Sequence, residues 1–246
     1  MKYGALNHEQ ARFYRDQGYY RLTNVFDVGL TAEMRLFIQE EAAKDGGESD
    51  PANPNRKLYG LYDRNPALMD RVIGHQALVG ALQSLLGPNI VFVKNRHNHA
   101  TINNHQGVPA EGMHRDILQP TRGLMTAAVY LQDSTVDNGA TRVIPGSHNL
   151  PYVGVPQVDG GGTWMSEHKE YDGLEDQAVP VPMSEGDVLL FNGTLFHGVG
   201  YNPSGETRMS MTLGFRSADE LDASPDDSRQ IMVNGQHIYR GNDRLQ

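Results

Sequence analysis

Up to about residue 88 the apolar positions fall into helical groupings; beyond it they gather into short runs of β character. Residues 7–44 look helical at both ends. In "NHEQARFYRDQGYY", Asn7 stands as an N-cap with Gln10 at the capping-box position, and Gly18 ends the helix. "RLTNVF" predicts a short strand. "LTAEMRLFIQEEAAKDGG" reads as a second helix, capped by Thr31 and stopped at Gly46-Gly47. "ESDPANPNRK" reads as a polar, proline-rich loop. A third helical pattern covers "NPALMDRVIGHQALVGALQSLLG", with a break near Gly74 and closure at Gly87-Pro88.

The β-like segments are "NIVFVKNRHNHATI", "GLMTAAVYLQDS", "GATRVIPG", "AVPVPMSEGDVLLFNG", "TLFHGVGYN" and "TRMSMTLGFRS". Asp-Asn-Gly, Pro-Gly-Ser, Glu-Gly-Asp and Asn-Gly turns separate them. Short strands at this spacing predict a sandwich or barrel. The expectation is one domain over 1–246: a helical part at about 7–88, a β-core at about 89–217, and a loop-rich tail at 218–246 ending in "HIYRG".

Composition narrows the function. Hydrophobic residues make up 38% of the 246, enough for a sizeable core, and the net charge of −9 argues against binding nucleic acid through its phosphates. There is no cysteine, which excludes disulfides, thiolate metal sites and thiol catalysis. No stretch approaches the ~18 apolar residues of a membrane span. The first residues lack the apolar run of a signal peptide. These features predict a soluble, cytoplasmic protein; a monomer or homodimer with a small-molecule substrate is the expected setting.

The chemistry gathers at "EGMHRDILQP". If this segment is extended, His114 and Asp116 share one face and Arg115 points away. A third ligand must come from elsewhere, and His197, at the end of an apolar run and followed by glycine, is the best candidate. Two histidines and a carboxylate form the facial triad of non-heme Fe(II) oxygenases, which leaves coordination positions open. In "TRMSMTLGF", Arg208, Ser210 and Thr212 share a face. A guanidinium fork with a neighbouring hydroxyl suits the distal carboxylate of a 2-oxo acid.

Other residues carry weaker readings. In "KNRHNHATINNHQ", alternation puts Lys94, Arg96 and Asn98 on one side and His97 and His99 on the other; one set lines the pocket or the whole is an exposed edge. "NRKLYGLYDRN", with Tyr59 and Tyr62, is a candidate lid. Trp164 sits in a Gly-rich insert that reads as a gating loop. His148 closes the turn after Pro145-Gly146-Ser147, and Gly139 is a turn glycine.

"MHRD", "VYLQDSTVDNGATRVIPGSHN", "GDVLLFNGTLFHGVGYN", "TRMSMTLGF" and the opening "FYRDQGYYRLTNVFD" together resemble the phytanoyl-CoA dioxygenase family of Fe(II)/2-oxoglutarate-dependent oxygenases, over roughly residues 10–217. The resemblance implies a mainly β fold with flanking helices: a double-stranded β-helix (jelly-roll, cupin-like) core with the N-terminal helices packed on one sheet. It implies His114, Asp116 and His197 as iron ligands, and Arg208 with Ser210 as the 2-oxoglutarate clamp. Fe(II), 2-oxoglutarate and O2 are the implied cofactors and co-substrates, succinate and CO2 the co-products. The expected reaction is hydroxylation of a small molecule, a specialised metabolite. Desaturation, cyclisation and epimerisation on the same iron chemistry are the alternatives, as is a non-catalytic jelly-roll binding protein. The chain departs from the family twice: Arg115 replaces a frequent Gln, and Val199 stands where many members carry a hydroxyl. Asp116 disfavours halogenation, since halogenating relatives carry a small residue there.

Overall fold

The computed structural model describes residues 4–45, 55–103, 112–118, 123–151, 163–220 and 227–237. Five helices lie in its first third: α1 (His8–Gln17), α2 (Val28–Lys44), α3 (Leu61–Arg64), α4 (Pro66–Ile73) and α5 (Gln76–Leu86). The α1 capping box forms as expected. The Asn7 side chain accepts from the Gln10 amide at 2.9 Å, and the Gln10 side chain from the Asn7 amide at 2.8 Å. Gly18 ends the helix in the left-handed region, φ 82. The break at Gly74 and the stop at Gly87 also appear.

The start of α2 differs from expectation. Asp27, not Thr31, is the cap: its carboxylate takes the Leu30 amide at 2.9 Å. Thr31 lies one turn inside, and its hydroxyl donates to the Val28 carbonyl and to Glu185. The Asp27 carboxylate satisfies an amide of a first turn that begins at Val28, so the helix starts one turn earlier. Gly46-Gly47 lies outside the described residues; α2 ends at Lys44.

The strands are β1 (Tyr19–Leu22), β2 (Asn55–Tyr59), β3 (Ile90–Val93), β4 (Asn98–Asn103), β5 (Met125–Tyr130), β6 (Thr141–Val143), β7 (Val179–Pro180), β8 (Val188–Asn192), β9 (His197–Val199), β10 (Arg208–Ser217) and β11 (Gln230–Asn234). Eight of them make one antiparallel sheet running β1-β8-β5-β10-β3-β11, with β4 also on β10 and β2 on β4. A smaller sheet runs β7-β6-β9. The described strands form these two separate sheets and no closed barrel. Two segments read as loop are strands. "NRK" opens β2, which pairs with β4, and the tail contributes β11, which pairs with β3. Proline-rich flanks and charged tails hide strands whose partners lie far along the chain. "HIYRG" falls outside the described residues except for His237.

The helices cover one face of the large sheet. Met34, Ile38, Leu68, Met69, Val72 and Leu82 pack against Phe92, Ala127, Val129, Leu190, Met211 and Phe215 in one buried cluster. Each of the larger side chains among them stabilises the fold by about 1.5–3 kcal/mol relative to its exposed state. The opposite face looks towards the small sheet. Tyr130, Leu189 and Phe191 meet Val143, Val181 and Met183 there. The site lies further along this inner space. Among the described residues no helix is long and apolar enough to cross a membrane.

Candidate metal centre

His114 and His197 are tied together by the backbone. The His114 amide donates to the His197 carbonyl at 2.9 Å, and the His197 amide returns the bond at 3.0 Å. His114 also bridges to Trp164, so it sits in isolated pairings, not in a regular strand. The alternation still holds locally: His114 and Asp116 turn inward and Arg115 turns away. The Asp116 amide donates to the Gly193 carbonyl at 2.7 Å, fixing the segment against the loop that leads to His197.

The donor atoms of His114, Asp116 and His197 all lie within 4.8 Å of one another. His197 Nε2 is 3.6 Å from Asp116 Oδ1, and the two imidazole rings are 4.4 Å apart. Each ring is oriented by a backbone carbonyl: His197 Nδ1 donates to Leu195 at 3.0 Å and His114 Nδ1 to Gly112 at 3.1 Å. A carbonyl only accepts, so Nδ1 carries the proton and Nε2 presents its lone pair to the centre. Burial pushes the His197 pKa down to about 4, which keeps that lone pair free at neutral pH. Burial works against the Asp116 anion, but His197, His97 and His114 outweigh it and hold the carboxyl below its ordinary range. The set is two imidazole nitrogens and one carboxylate on one side of a cavity, which suits a divalent first-row metal.

Arg208 is buried, and burial lowers its pKa. Its Nη1 lies 3.3 Å from Ser134 Oγ and from the Asn138 carbonyl, and also donates to the Gly139 carbonyl. Gly139 adopts φ +84, and a Cβ there would stand 2.5 Å from the Gly200 carbonyl oxygen. The turn glycine therefore shapes the Arg208 seat. Among the described residues no carboxylate pairs with Arg208. Ser210 and Thr212 line the same cavity. Tyr130 Oη and Thr141 Oγ1, 2.7 Å apart, add hydroxyls near it. The cavity has a volume of about 110 Å³ and is also lined by Lys57, His97, His99, Phe191 and Val199. A larger one, about 400 Å³ between Leu150, Tyr171 and Leu174, contains none of these donors.

"KNRHNHATI" is not one strand, since Lys94–His97 leave the sheet and His97 adopts φ 56, yet the predicted sorting of its side chains still appears. His97 and His99 line the cavity, whereas Asn98 accepts the Tyr62 amide and Lys94 pairs with Asp63. Asn104 and His105 lie outside the described residues. "NRKLY" is strand β2 of the large sheet, with Lys57 lining the cavity and Tyr59 exposed beside His99; Tyr62 packs on Phe92. Trp164 stands 4.8 Å from the His114 ring, at the edge of an insert of which 152–162 lie outside the described residues. His148 Nε2 takes a bond with the Arg15 carbonyl and docks α1, so it does more than close its own turn.

Arg115 is buried behind the donors. Its guanidinium donates to the Ser147 carbonyl at 3.0 Å and the Tyr171 hydroxyl at 3.3 Å, and lies 4.2 Å from the Phe196 ring centre. It fastens the back of the ligand segment. Thr126, Tyr130 and Thr141 join the site without a motif of their own. The available signal was Thr126 itself, a lone polar residue within the apolar "GLMTAAVYL".

The profile of the family "Phytanoyl-CoA dioxygenase (PhyH)" matches residues 14–210. The dioxygenase trt7 of Aspergillus terreus is 35% identical over 117 residues, which is 44% of this chain and 35% of that protein. The iron/alpha-ketoglutarate-dependent dioxygenase ausU of Aspergillus calidoustus is 38% identical over 104 residues, 38% of this chain and 29% of that protein. The chain thus matches about a third of the length of these relatives. Among solved structures, the non-heme alpha ketoglutarate dependent carbocyclase SnoK from nogalamycin biosynthesis superposes with a TM-score of 0.67 at 22% identity, covering 89% of this chain and 87% of that one. At that identity the likeness establishes the fold.

Proposed function

The chain belongs to the phytanoyl-CoA dioxygenase family, and from that premise we propose that it is an Fe(II)- and 2-oxoglutarate-dependent oxygenase that hydroxylates an unactivated C–H bond of a small molecule. The observation that carries this reading is the donor set of two imidazole nitrogens and one carboxylate within 4.8 Å, beside a buried arginine. His114, Asp116 and His197 would hold the iron; Arg208 with Ser210 would hold the distal carboxylate of 2-oxoglutarate. Bound there, the iron supplies O2 activation and C–H oxidation, coupled to decarboxylation of 2-oxoglutarate to succinate and CO2.

The residues fit that task. The two histidines are held in the tautomer that ligates. Arg208 is a desolvated cation whose present partners are a hydroxyl and carbonyls, so a carboxylate is the group that best completes it. Ser210 shares its face. Val199 offers no hydroxyl, so the anion is served by other hydroxyls of the cavity, Ser210 beside Arg208 among them. Phe191, Val199 and Ala128 supply apolar walls that keep water from the reacting centre. Trp164 beside His114 borders the substrate's approach.

The substrate is read as a specialised metabolite, and the setting as a cytoplasmic monomer or homodimer in which helices and β-core act as one domain. Hydroxylation, desaturation, ring closure and epimerisation share their first hydrogen abstraction, and product analysis separates them. The test is succinate release from 2-oxoglutarate after anaerobic loading with Fe(II) and admission of air. Turnover that disappears in His114→Ala supports the oxygenase. Absence of any coupled or uncoupled turnover in the wild type points instead to a binding protein.

A further inference from the structure

Strands β3 and β4 both pair with β10, yet four residues separate them. Phe92 faces Phe215 and Asn98 faces Leu213, so residues 94–97 are extruded beside Gly214. The Gly214 amide donates to the His97 carbonyl at 2.8 Å. A Cβ on Gly214 would stand 2.4 Å from the Arg96 carbonyl oxygen, so only glycine lets the turn seat this closely. His97 itself takes φ 56, a conformation side-chain-bearing residues rarely adopt. Backbone of this kind persists where the surroundings over-determine it, often beside a functional centre.

The extruded turn lands on Asp116. Arg96 Nη2 donates to the Asp116 carbonyl. His97 Nε2 lies 3.1 Å from Asp116 Oδ1. The Thr126 hydroxyl donates to Asp116 Oδ2 at 2.8 Å, and its oxygen is 3.0 Å from His97 Nδ1. Imidazole, hydroxyl and carboxylate thus close a triangle in which both carboxylate oxygens are engaged.

We propose that the 94–97 turn is a clamp on the metal-binding carboxylate, with His97 and Thr126 as positioning residues that fix its orientation. The proposal rests on Asp116 being a metal ligand, as read above. A carboxylate tied at Oδ2 cannot swing to chelate through both oxygens. It offers Oδ1 alone, which keeps the remaining coordination positions open for a 2-oxo acid and a further ligand. Outer partners of this kind are worth 10–100-fold in metal affinity by general experience.

The test uses Co(II) as the probe, titrated into the metal-free protein by calorimetry and followed by its visible d–d absorption. In His97→Gly the strained position receives the residue that prefers it, so the thermal midpoint of the metal-free protein holds or rises. Co(II) affinity nevertheless falls about 10-fold or more and the absorption band shifts. Thr126→Val loses affinity likewise, and Thr126→Ser recovers it. Thr126→Val keeps every residue of the turn and the Gly214 seat, and carries the test if His97→Gly does not fold. Wild-type affinity and spectrum in folded His97→Gly, or in Thr126→Val, overturn the clamp. Asp116→Ala separates the two readings. Co(II) affinity and absorption left unchanged by Asp116→Ala sink the metal-ligand assignment, whereas affinity that falls in Asp116→Ala but not in His97→Gly or Thr126→Val sinks the clamp alone.

Discussion

The two faces of the large sheet are built on the same strands and do opposite work. On β10, Met209, Met211, Leu213 and Phe215 turn to the helices and are buried, while Arg208, Ser210 and Thr212 turn to the cavity. On β5, Met125, Ala127 and Val129 face the helices, while Thr126 and Tyr130 face inward with hydrogen-bond partners. One face is apolar and close-packed. The other is buried yet polar, which is costly unless each group finds a partner or a ligand. The comparison teaches that stability and chemistry are divided by the pleat, one residue apart along the chain.

That division can be broken by substitution. The largest effect belongs to the inner face. Asp116→Ala or His114→Ala should lower 2-oxoglutarate turnover, read as succinate, by more than about 100-fold, beyond what outer partners are worth. The unfolding midpoint should change little in His114→Ala, whereas Asp116→Ala, which strips a buried carboxylate from Thr126 and His97, should also lower it. Near-normal turnover in either variant would refute the ligand assignment. Next comes the outer face. Met211 is fully buried among the helices, so Met211→Ala should cost about 2–5 kcal/mol in a urea titration while turnover per folded molecule survives. Ser210→Ala, one residue away, should cost less than about 1 kcal/mol. If the two variants exchanged their effects, the partition by face would fail.

Arg208 sharpens the comparison, because it is an inner-face charge with a structural seat. Removing a charged hydrogen-bonding partner costs about 1.5–3 kcal/mol. Arg208→Ala should therefore raise the half-saturating 2-oxoglutarate concentration about 10–100-fold, with a smaller fall in maximal rate. An unchanged requirement would sink the clamp assignment.

The outer face was legible from sequence and much of the inner face was not. Alternation in "TRMSMTLGF" sorted β10 correctly, and the capping box and the break at Gly74 marked the helices, because these signals are local. The placing of His114, Asp116 and His197 together depended on residue chemistry and on the resemblance, and the fold brings them within 4.8 Å. What escaped depends on partners distant in the chain. The extrusion of 94–97 is set by Gly214, far along the chain, and no feature of "VKNRHN" announces it. Strand β2 is a strand only because β4 lies beside it. Arg115, charged and conspicuous, is buried because Phe196 and Tyr171 accept its flat face. A polar residue lining a cavity and a polar residue in water look alike until the opposite wall is in place.

The smallest effect expected is an acid one, and it too is partitioned. The helix-facing residues of β5 and β10 carry no group that takes a proton. The inner face holds His99, whose pKa burial pushes down to about 3, and His197, pushed down to about 4. In the unfolded chain both titrate near 6.5. Below that pH the unfolded state binds protons that the folded state refuses. Stability from both groups is therefore complete above about pH 6.5. It falls as the pH drops towards 4, by about 1 kcal/mol per histidine per pH unit. His99 lies outside the donor set, so His99→Gln removes one of the two contributions without touching the centre. Urea midpoints of the metal-free protein, taken from pH 7.5 to 5, should fall less steeply in His99→Gln than in the wild type. Equal slopes would mean that His99 is not held neutral by burial, and that the inner face is wetter than its packing implies.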